Sequence, residues 1–505
     1  MLNVVSAKRL RRDRWCLSIC FTILRGASRI ISILHTNTLL HLLKLLNDFL
    51  AETAAIVWWP VLFLIIGGGL YFLIYSRFIQ YKYFFHALNV LRGKYDDANA
   101  PGQITAYKAL STALASTVGM GNLAGVAAAI AMGGPGAVFW MWITSLIGMS
   151  TNFFTSALAS MYRGRDSTGE LQGGPMYVIQ EAMGRKFRPL AVLFCVCCLV
   201  GALPIFQANQ LTQALVDIGL QPLGIKESFF HIGGASISIV KVFIGICIAI
   251  LCSVVIVGGI KRIGTLAGKL VPFMIVIHFL SVMFILIVFA EHVPHYLKLI
   301  FTDAFSATHY KGEPFLGGIV GGLIMLGVRR ATFSNEAGIG TAPMAMGASK
   351  SVEPIREGLI SMLSPVIDTI ISCTLTALSI LVTGAWLTDG VSGITLTSIA
   401  YRAAMPQGGD YVLLLCTFVF AISALFAYSY YGRRALSFLI GEKKSIWYDY
   451  FYLVTIVLGS AASMDLVLNI IDIAFAIMAI PTMISGIVLA PQVMKEANKY
   501  FNTLK

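Results

Sequence analysis

The stretch Thr117-Val118-Gly119-Met120-Gly121-Asn122-Leu123-Ala124-Gly125 decides how this chain can fold. It lies in an apolar segment, residues 104–132, that is long enough to cross a membrane as a helix. Its three glycines weaken a helix, because Gly costs about 1 kcal/mol relative to Ala in a helix interior. In lipid, an opened backbone is stable only where protein or a water-filled cavity satisfies the freed N–H and C=O groups. The stretch therefore predicts a broken helix that lines a buried ligand site.

A second interruption of the same kind lies far downstream. It reads Thr332-Phe333-Ser334-Asn335-Glu336-Ala337-Gly338-Ile339-Gly340. Two interrupted spans in corresponding halves of a chain indicate a secondary transporter, with the binding site where the helices open.

The composition places the chain in a membrane. The 505 residues are 57% hydrophobic and 12% charged, whereas a soluble domain carries about 25% charged residues. The formal net charge of +13 falls mainly in the loops, so we expect a lipid bilayer and no nucleic acid as partner. The sequence contains no Walker A motif, no HExxH motif and no nucleophile–base cluster, so neither an ATP-driven pump nor an enzyme is expected.

Eleven apolar runs of about 20 residues are predicted to be transmembrane helices. They cover residues 54–76, 103–131, 137–161, 189–214, 239–258, 269–290, 315–345, 356–383, 411–431, 447–461 and 465–489. If the 77–102 loop is cytoplasmic, the cytoplasmic segments carry 21 Lys and Arg residues, and the opposite side carries four. This asymmetry predicts a cytoplasmic C-terminus in a multi-pass protein of the cytoplasmic (inner) membrane.

The first fifty residues do not follow that charge rule. They are basic on the side that should be poor in charge, and the apolar stretch 15–24 is too short to span. Three alternatives stay open for residues 1–40: an amphipathic surface segment, a cleaved leader, or an upstream start codon that is not used. Residues 38–50 are predicted to form an amphipathic helix in the membrane interface.

Several ordered motifs resemble those of the alanine/glycine:cation symporter family, the sodium:alanine symporters. They span roughly residues 50–490 and comprise Val118-Gly119-Met120-Gly121-Asn122-Leu123-Ala124-Gly125, Gly133-Gly134-Pro135-Gly136, Gly173-Gly174-Pro175-Met176-Tyr177, Gln207-Ala208-Asn209, Gly259-Ile260-Lys261-Arg262-Ile263-Gly264, Phe333-Ser334-Asn335-Glu336-Ala337-Gly338, Ile367-Asp368-Thr369 and Met478-Ala479-Ile480-Pro481. The resemblance implies an all-α fold of the LeuT type with a peripheral first helix and two five-helix inverted repeats. It also implies Na⁺-coupled uptake of small neutral amino acids, chiefly alanine and glycine, by alternating access. Neither a cofactor other than the coupling Na⁺ nor an obligate protein partner is expected.

This organisation divides the chain into five parts. They are an N-terminal extension and interfacial segment (1–50), a peripheral first span with an interfacial helix (51–100), the first repeat (101–292), the second repeat (293–490) and a cytoplasmic tail (491–505).

An amino-acid zwitterion needs donors for its carboxylate and acceptors for its ammonium group. The half-helix after the first break offers free N–H groups and the positive end of its dipole, and glycine lets a ligand approach the backbone closely. The substrate residues predicted in this break are Thr117, Gly119, Met120, Gly121 and Asn122. By resemblance, the carbonyls of Ala115 and Val118 and the hydroxyl of Ser423 hold Na⁺.

In the second break, Phe333, Ser334 and Gly338 are assigned to the substrate, with the Phe333 ring covering a small side chain. Asn335 and Glu336 are assigned structural and gating roles. A carboxylate inside a membrane must be paired or hydrated. Glu336 either ties the broken backbone by accepting N–H bonds or pairs with Arg329 or Arg330.

Four further polar residues lie within predicted spans. Gln207 and Asn209 form either a substrate wall, which the resemblance favours, or interhelical hydrogen bonds, and Gln207 is assigned to the substrate. Asp368 and Asp472 are either packing residues or parts of a proton path.

The alternative function is an H⁺-coupled transporter of the same fold with a different small amino-acid substrate. Met120 and Ala424 motivate it, because the family usually has Thr at the first position and a hydroxyl at the second. A membrane channel or sensor is the least favoured reading, since the sequence shows no charge rings and no soluble signalling domain.

Overall fold

The computed structural model describes residues 44–504 except 96–99, 225–227, 233–234, 313 and 315–316. The alternatives for residues 1–40 and the first part of the predicted 38–50 helix lie outside the described residues.

Helices dominate the described part of the chain. The α-helices are α1 (Lys44–Tyr75), α2 (Ile79–Lys82), α3 (Phe84–Leu91), α4 (Ala106–Thr117), α5 (Val126–Gly133), α6 (Gly136–Met161), α7 (Pro175–Val178), α8 (Arg188–Gly201), α9 (Ile205–Ala214), α10 (Ile239–Ile256), α11 (Gly259–Val288), α12 (Val293–Ser306), α13 (Gly318–Asn335), α14 (Thr341–Met346), α15 (Pro354–Ser361), α16 (Thr374–Val382), α17 (Ile394–Ala404), α18 (Gly409–Ile440), α19 (Glu442–Ala461) and α20 (Met464–Asn502). Four π-helical segments (Gly121–Gly125, Ile179–Met183, Leu215–Leu220 and Val366–Cys373) and four 3₁₀ turns (Arg185–Phe187, Gln221–Leu223, Ala290–His292 and Ala385–Leu387) join them.

Two short antiparallel hairpins lie in loops between spans. In the first, β1 (Gly164–Arg165) pairs with β2 (Leu171–Gln172), with Gly164 opposite Gln172. In the second, β3 (Phe229–Ile232) pairs with β4 (Ala235–Ser238). The sequence predicted no strands.

Eight continuous helical segments in the described part of the chain are long and apolar enough to cross a bilayer, and the bent pair of α4 with the helix after it makes nine. Helices α13 and α19 lie at the predicted seventh and tenth spans, but they are too polar to be counted among these membrane-crossing segments. Polar residues within them, such as Arg330 and Asp449, lower their hydropathy, and both residues make ion pairs inside the protein. The count of eleven spans and the inverted repeat stay predictions.

Helix α1 differs from the prediction of an interfacial helix followed by a separate span. It is one continuous helix of 32 residues, because residues 51–55 contain no Gly or Pro to end it. At 1.5 Å per residue it is about 48 Å long, which exceeds the roughly 30 Å hydrocarbon core of a bilayer.

The two broken helices lie side by side in the centre of the structure. Helix α4 packs against α11, α14 and α18, and the π-helical turn Gly121–Gly125 packs against α13 and Val366–Cys373. The chain just before α4 also bonds to the chain after α14, because the Gln103 N–H donates to the Ala348 carbonyl (2.8 Å) and the Lys350 N–H to the Ile104 carbonyl (2.6 Å). The fold thus joins both broken helices at one end and buries their interruptions.

Candidate substrate and cation site

The first break has the form that the sequence predicts. Helix α4 ends at Thr117, and Val118 leaves the helix with φ −75° and ψ 69°. The chain then resumes as the π-helical turn Gly121–Gly125, and the two halves differ in direction by 44°. The N–H of Asn122, predicted to face substrate, donates to the Gly119 carbonyl (3.1 Å). The broken helix is therefore confirmed, but the Asn122 N–H, one of the groups expected to be free for the substrate carboxylate, already has a partner in the chain.

The second break is also confirmed. Helix α13 ends at Asn335, and Glu336 takes the left-handed conformation with φ +54°. Gly340 has φ +110°, and a Cβ there would lie 2.6 Å from the Thr482 Oγ and 2.7 Å from Pro175 Cγ. Only glycine fits at this position, since both the backbone angle and the space exclude a side chain.

The two breaks contact each other. A Cβ on Gly121 would lie 3.5 Å from Ser334 Cα and 3.6 Å from the Phe333 ring, and a Cβ on Gly125 would lie 3.6 Å from the same ring. The Phe206 ring packs edge-on against the Phe333 ring, with 4.9 Å between the two ring centroids. An aromatic wall therefore stands against the glycines of the first break. That the Phe333 ring covers the substrate stays a prediction.

A first polar cluster joins the breaks to the π-helical segment Val366–Cys373. We call Asn122, Ser334, Asp368 and Thr369 the Asp368 cluster; all four are buried. Asp368 accepts from Asn122 Nδ2 at Oδ1 (2.7 Å) and from Ser334 Oγ (2.6 Å) and Thr369 Oγ (2.8 Å) at Oδ2. Ser334 Oγ also lies 3.2 Å from Asn122 Oδ1. These hydrogen bonds agree with a helix-packing role for Asp368. The other role left open for it, a part in a proton path, stays a prediction.

A second polar cluster surrounds Glu336, which is fully buried. Its carboxylate accepts hydrogen bonds from the hydroxyls of Thr341 and Tyr428 and, at 3.5 Å, from Ser116. Glu336 therefore connects the first broken helix, both halves of the second one and α18. This agrees with a structural role, but the partners are side-chain hydroxyls and not the backbone N–H groups that the sequence suggested.

The two arginines before the second break pair elsewhere. Asp472 on α20 accepts from Arg329 Nη2 (2.5 Å) and Nε (3.1 Å) and from Arg330 Nη2 (2.7 Å). The predicted pairing of Glu336 with Arg329 or Arg330 is wrong. Both arginines lie about one and a half turns before the break, and their side chains reach Asp472 on α20 instead. The Arg330 guanidinium also lies over the Phe333 ring, 5.6 Å from its centroid. We call Arg329, Arg330 and Asp472 the arginine triad.

The polar residues of α9 have different surroundings. Asn209 Nδ2 donates to the carbonyls of Gly459 (3.1 Å) and Ala462 (2.7 Å), which is the interhelical alternative. Gln207 follows Phe206 and is buried, and its Oε1 has no hydrogen-bond partner among the described residues. Gln207 thus keeps a free buried acceptor on the helix that also carries Phe206.

The predicted cation residues lie where α18 approaches the first break. A Cβ on Gly119 would lie 3.1 Å from Ala424 Cβ, so α18 touches the break at the position that lacks a hydroxyl. Ser423 Oγ lies 2.9 Å from the Phe420 carbonyl and 3.4 Å from Met274 Sδ. A serine that donates its proton to a carbonyl keeps lone pairs for a cation, so the set of Ala115, Val118 and Ser423 stays a prediction.

The remaining predicted substrate residues differ in surroundings. Met120 is fully buried, and Thr117 Oγ donates to the Ala113 carbonyl (3.2 Å). Gly338, with φ +86°, faces Met483 and Thr151 rather than the Asp368 cluster.

Ion pairs also connect the loop after α6 to the C-terminal end of α18. Arg434 pairs with Asp166 (3.3 Å) and Glu442 (3.1 Å), and Arg433 pairs with Asp449 (2.8 Å). Partial burial raises the pKa of Asp166, but hydrogen bonds from neighbouring side chains and N–H groups outweigh it and hold that pKa below its usual value. In the predicted orientation this network lies at the cytoplasmic face, opposite the arginine triad.

Comparison with known proteins gives the family. A sequence model of the sodium:alanine symporter family matches residues 43–505. The chain belongs to that family. The symporter is 36% identical over 460 residues to the sodium/alanine symporter AgcS of Methanococcus maripaludis, covering 89% of this chain and 96% of AgcS. It is 35% identical to an uncharacterized transporter of Haemophilus influenzae, covering 91% of this chain and 97% of that protein.

The fold of the symporter is similar to that in the crystal structure of MhsT in complex with L-phenylalanine. The TM-score is 0.53 at 13% identity, and the match covers 78% of this chain and 98% of MhsT. At this identity the likeness concerns the fold alone. Membership of the sodium:alanine symporter family, and not this likeness of fold, makes the chain a membrane transporter and not an enzyme, as its sequence predicts.

Sequence reasoning missed the hydroxyl partners of Glu336. Tyr428 and Ser116 lie in the two helices beside the second break, and no local pattern distinguishes them from other buried hydroxyls. The signal for Asp368 was present, because an acidic residue inside an apolar span needs an explanation.

Proposed function

We propose that this symporter couples the inward movement of Na⁺ to the uptake of a small neutral amino acid, alanine or glycine, by alternating access. The observation that carries the proposal is the contact between the two breaks. Phe333 and Phe206 wall the space beside Gly121 and Gly125, which favours a ligand with a small side chain.

The proposed site offers complementary groups to a zwitterion. The N–H groups at Met120 and Gly121 begin the second half-helix, where a carboxylate is favoured by the free donors and the helix dipole. The free Oε1 of Gln207 is an acceptor suited to the ammonium group. The carbonyls of Ala115 and Val118 and the Ser423 hydroxyl are hard oxygen ligands of the kind that alkali cations prefer.

The ion pairs on the two faces supply a physical basis for alternating access. The arginine triad ties α13 to α20 on the proposed outer side, and the Arg433–Arg434 network ties α18 to the loop after α6 on the proposed inner side. Opening one face requires breaking one set of pairs while the other persists. Transport by alternation follows if the ligands change the relative stability of these two states.

The test is uptake of labelled alanine by the purified chain reconstituted alone into liposomes. We expect uptake driven by an inward Na⁺ gradient and abolished when K⁺ replaces Na⁺, and Asn122→Ala is expected to lose it while retaining expression. Equal uptake in Na⁺ and K⁺ rejects sodium coupling, and uptake by the purified chain also tests whether another cofactor or protein partner is needed.

The alternative is proton coupling with another small amino acid. It is motivated by Ala424, because this residue places a methyl group beside Gly119 where the family usually has a hydroxyl. Uptake that follows the pH gradient and ignores Na⁺ would favour it.

We also place the protein in the cytoplasmic membrane with its C-terminus inside. A C-terminal fusion to a reporter that is fluorescent only in the cytoplasm tests this orientation. A dark but full-length fusion would reverse the assignment.

A further inference from the structure

A cavity lies where the end of α1 meets the C-terminal end of α20. Its volume is about 430 Å³, which is within the usual range of small-molecule pockets. Among the described residues, it shares no lining side chain with the candidate substrate site. The lining side chains that carry polar groups for a ligand include Tyr75, Arg77, Lys82, Tyr83, Asn498 and Asn502.

The lining carries two positive charges that the chain itself does not balance. Arg77 and Lys82 are both exposed, and neither takes part in an ion pair within the described part of the chain. The nearby carboxylate of Glu496 on α20 pairs with Lys499 (2.7 Å) instead. Two unpaired cations beside the amide of Asn498 are complementary to the oxygens of a phosphate group.

An aromatic stack holds the two parts of the lining together. The Tyr83 ring lies parallel to the Phe501 ring of α20, with 3.7 Å between the ring centroids and 10° between the planes. Lys82 Nζ lies 5.4 Å from the centroid of the Tyr83 ring. Because the stack joins the chain after α2 to α20, the basic residues and Asn498 line one common cavity.

The chain turns sharply at the point where Arg77 enters the lining. The N–H groups of Arg77 and Phe78 donate to the carbonyls of Ile74 (2.9 Å) and Leu73 (3.1 Å), which ends α1. Both residues are left-handed, with φ +52° and +61°, a conformation that costs free energy for any residue but glycine. Residues held in this way are concentrated at functional sites such as ligand clamps.

Exposed aromatic side chains indicate the depth of the cavity in the bilayer. Phe78, Tyr81 and Phe85 are exposed next to the two basic residues, a combination typical of the boundary between lipid headgroups and acyl chains. In the proposed orientation this is the cytoplasmic boundary, where anionic lipids attract Lys and Arg. This depth favours the phosphate of a lipid over that of a soluble molecule.

We propose that this cavity binds the headgroup of one anionic phospholipid. Arg77 and Lys82 contact its phosphate, the Asn498 amide donates to a headgroup oxygen, and an acyl chain lies along the exposed side of α1 at Ile74. The lipid thereby joins the peripheral first helix to α20 and stabilises their packing. The proposal does not depend on the coupling ion or on the substrate.

The experiment measures thermal unfolding of the purified full-length protein in neutral detergent while dioleoylphosphatidylglycerol is added. We expect this lipid to stabilise the wild type. In the double variant Arg77→Gln, Lys82→Gln, the lipid concentration for half-maximal stabilisation is expected to rise about tenfold or more, because each basic residue contributes about fivefold to the affinity for an anionic headgroup.

The double variant Lys443→Gln, Lys444→Gln is the matched control. It removes two exposed charges from the same proposed face outside the cavity, and its half-maximal concentration is expected to stay within about twofold of wild type because distant charges are screened.

The other results identify the ligand or overturn the site. Equal stabilisation by inorganic phosphate without lipid overturns the lipid in favour of a free phosphate. Equal stabilisation by dioleoylphosphatidylcholine, which has no net charge, overturns recognition of an anionic headgroup. An unchanged half-maximal concentration in the Arg77, Lys82 variant overturns the cavity as the site. Should that variant not fold, Asn498→Leu keeps both charges and removes the amide, and an unchanged concentration there overturns the site.

Discussion

Replacing Asp472 by Asn removes the negative charge at the centre of the arginine triad. The carboxylate is 1% exposed and accepts three guanidinium hydrogen bonds of 2.5, 2.7 and 3.1 Å. It joins α13 to α20 about one and a half turns before the second break. Asn keeps the side-chain volume and one oxygen acceptor, so the change isolates the charge.

The magnitude follows from the burial of each partner. Removing one partner of a buried ion pair costs about 3–5 kcal/mol. Arg329 is 19% exposed and Arg330 is 8% exposed, so Arg329 can turn toward water and the cost lies at the low end. The oxygen that Asn retains recovers about 1 kcal/mol as a hydrogen bond. We therefore expect a net loss of about 2–3 kcal/mol, a factor of about 30–150 in the equilibrium constant.

The assay is reversible unfolding of the purified protein in mixed micelles, followed by tryptophan fluorescence. The free energy of unfolding is measured for wild type, Asp472→Asn, Arg330→Gln and the double variant. In the double variant one of the two unpaired guanidinium groups is gone, so its loss is expected to fall short of the sum of the single losses by about 1–2 kcal/mol.

Additive losses, with a coupling free energy under about 0.5 kcal/mol, would contradict the triad as a structural tie. The exposed pair of Lys311 and Asp389 supplies the control. Its side chains are 64% and 93% exposed, so Asp389→Asn is expected to leave the unfolding transition unchanged.

Two glycine substitutions test the breaks. Gly121→Ala is expected to abolish alanine uptake, because the new methyl group fills the space proposed for the substrate. The purified protein is expected to keep its yield, because this methyl group would make only an ordinary contact with Phe333 (3.6 Å). Uptake at the wild-type rate would refute the assignment. Gly340→Ala is expected to destabilise the fold by about 2 kcal/mol or more, because φ is +110° and Thr482 leaves no room. Gly390→Ala, with φ +73° and open space, is expected to cost about 1 kcal/mol, and equal thermal stability of the two variants would contradict the steric argument.

The two breaks could be predicted from the sequence because helix weakness is a local property. The glycines at 119, 121 and 125 are poor helix residues in any surroundings, and no long-range contact is needed to know that the helix opens there. The left-handed conformation of Gly338 and Gly340 has the same origin. The continuous α1 was missed because no breaker separates the interfacial segment from the span.

The partners of the charged residues could not be predicted in the same way. Arg329 and Asp472 are separated by 143 residues, and Glu336 and Tyr428 by 92. Proximity in sequence suggested that the arginines pair with Glu336, but helix direction turns them toward α20. Which of several buried hydroxyls reaches a carboxylate depends on how the helices pack.

By itself, the sequence determined that the chain enters a membrane, where its helices break, and which family it resembles. These features follow from the free energies of single segments in lipid and of single residues in a helix. The tertiary structure alone decided that Asp472 and not Glu336 takes the two arginines, and that Asn122, Ser334 and Asp368 converge. The reason is physical: a buried charge is stabilised by whatever groups the packed helices bring within hydrogen-bond distance, and that distance is set in three dimensions.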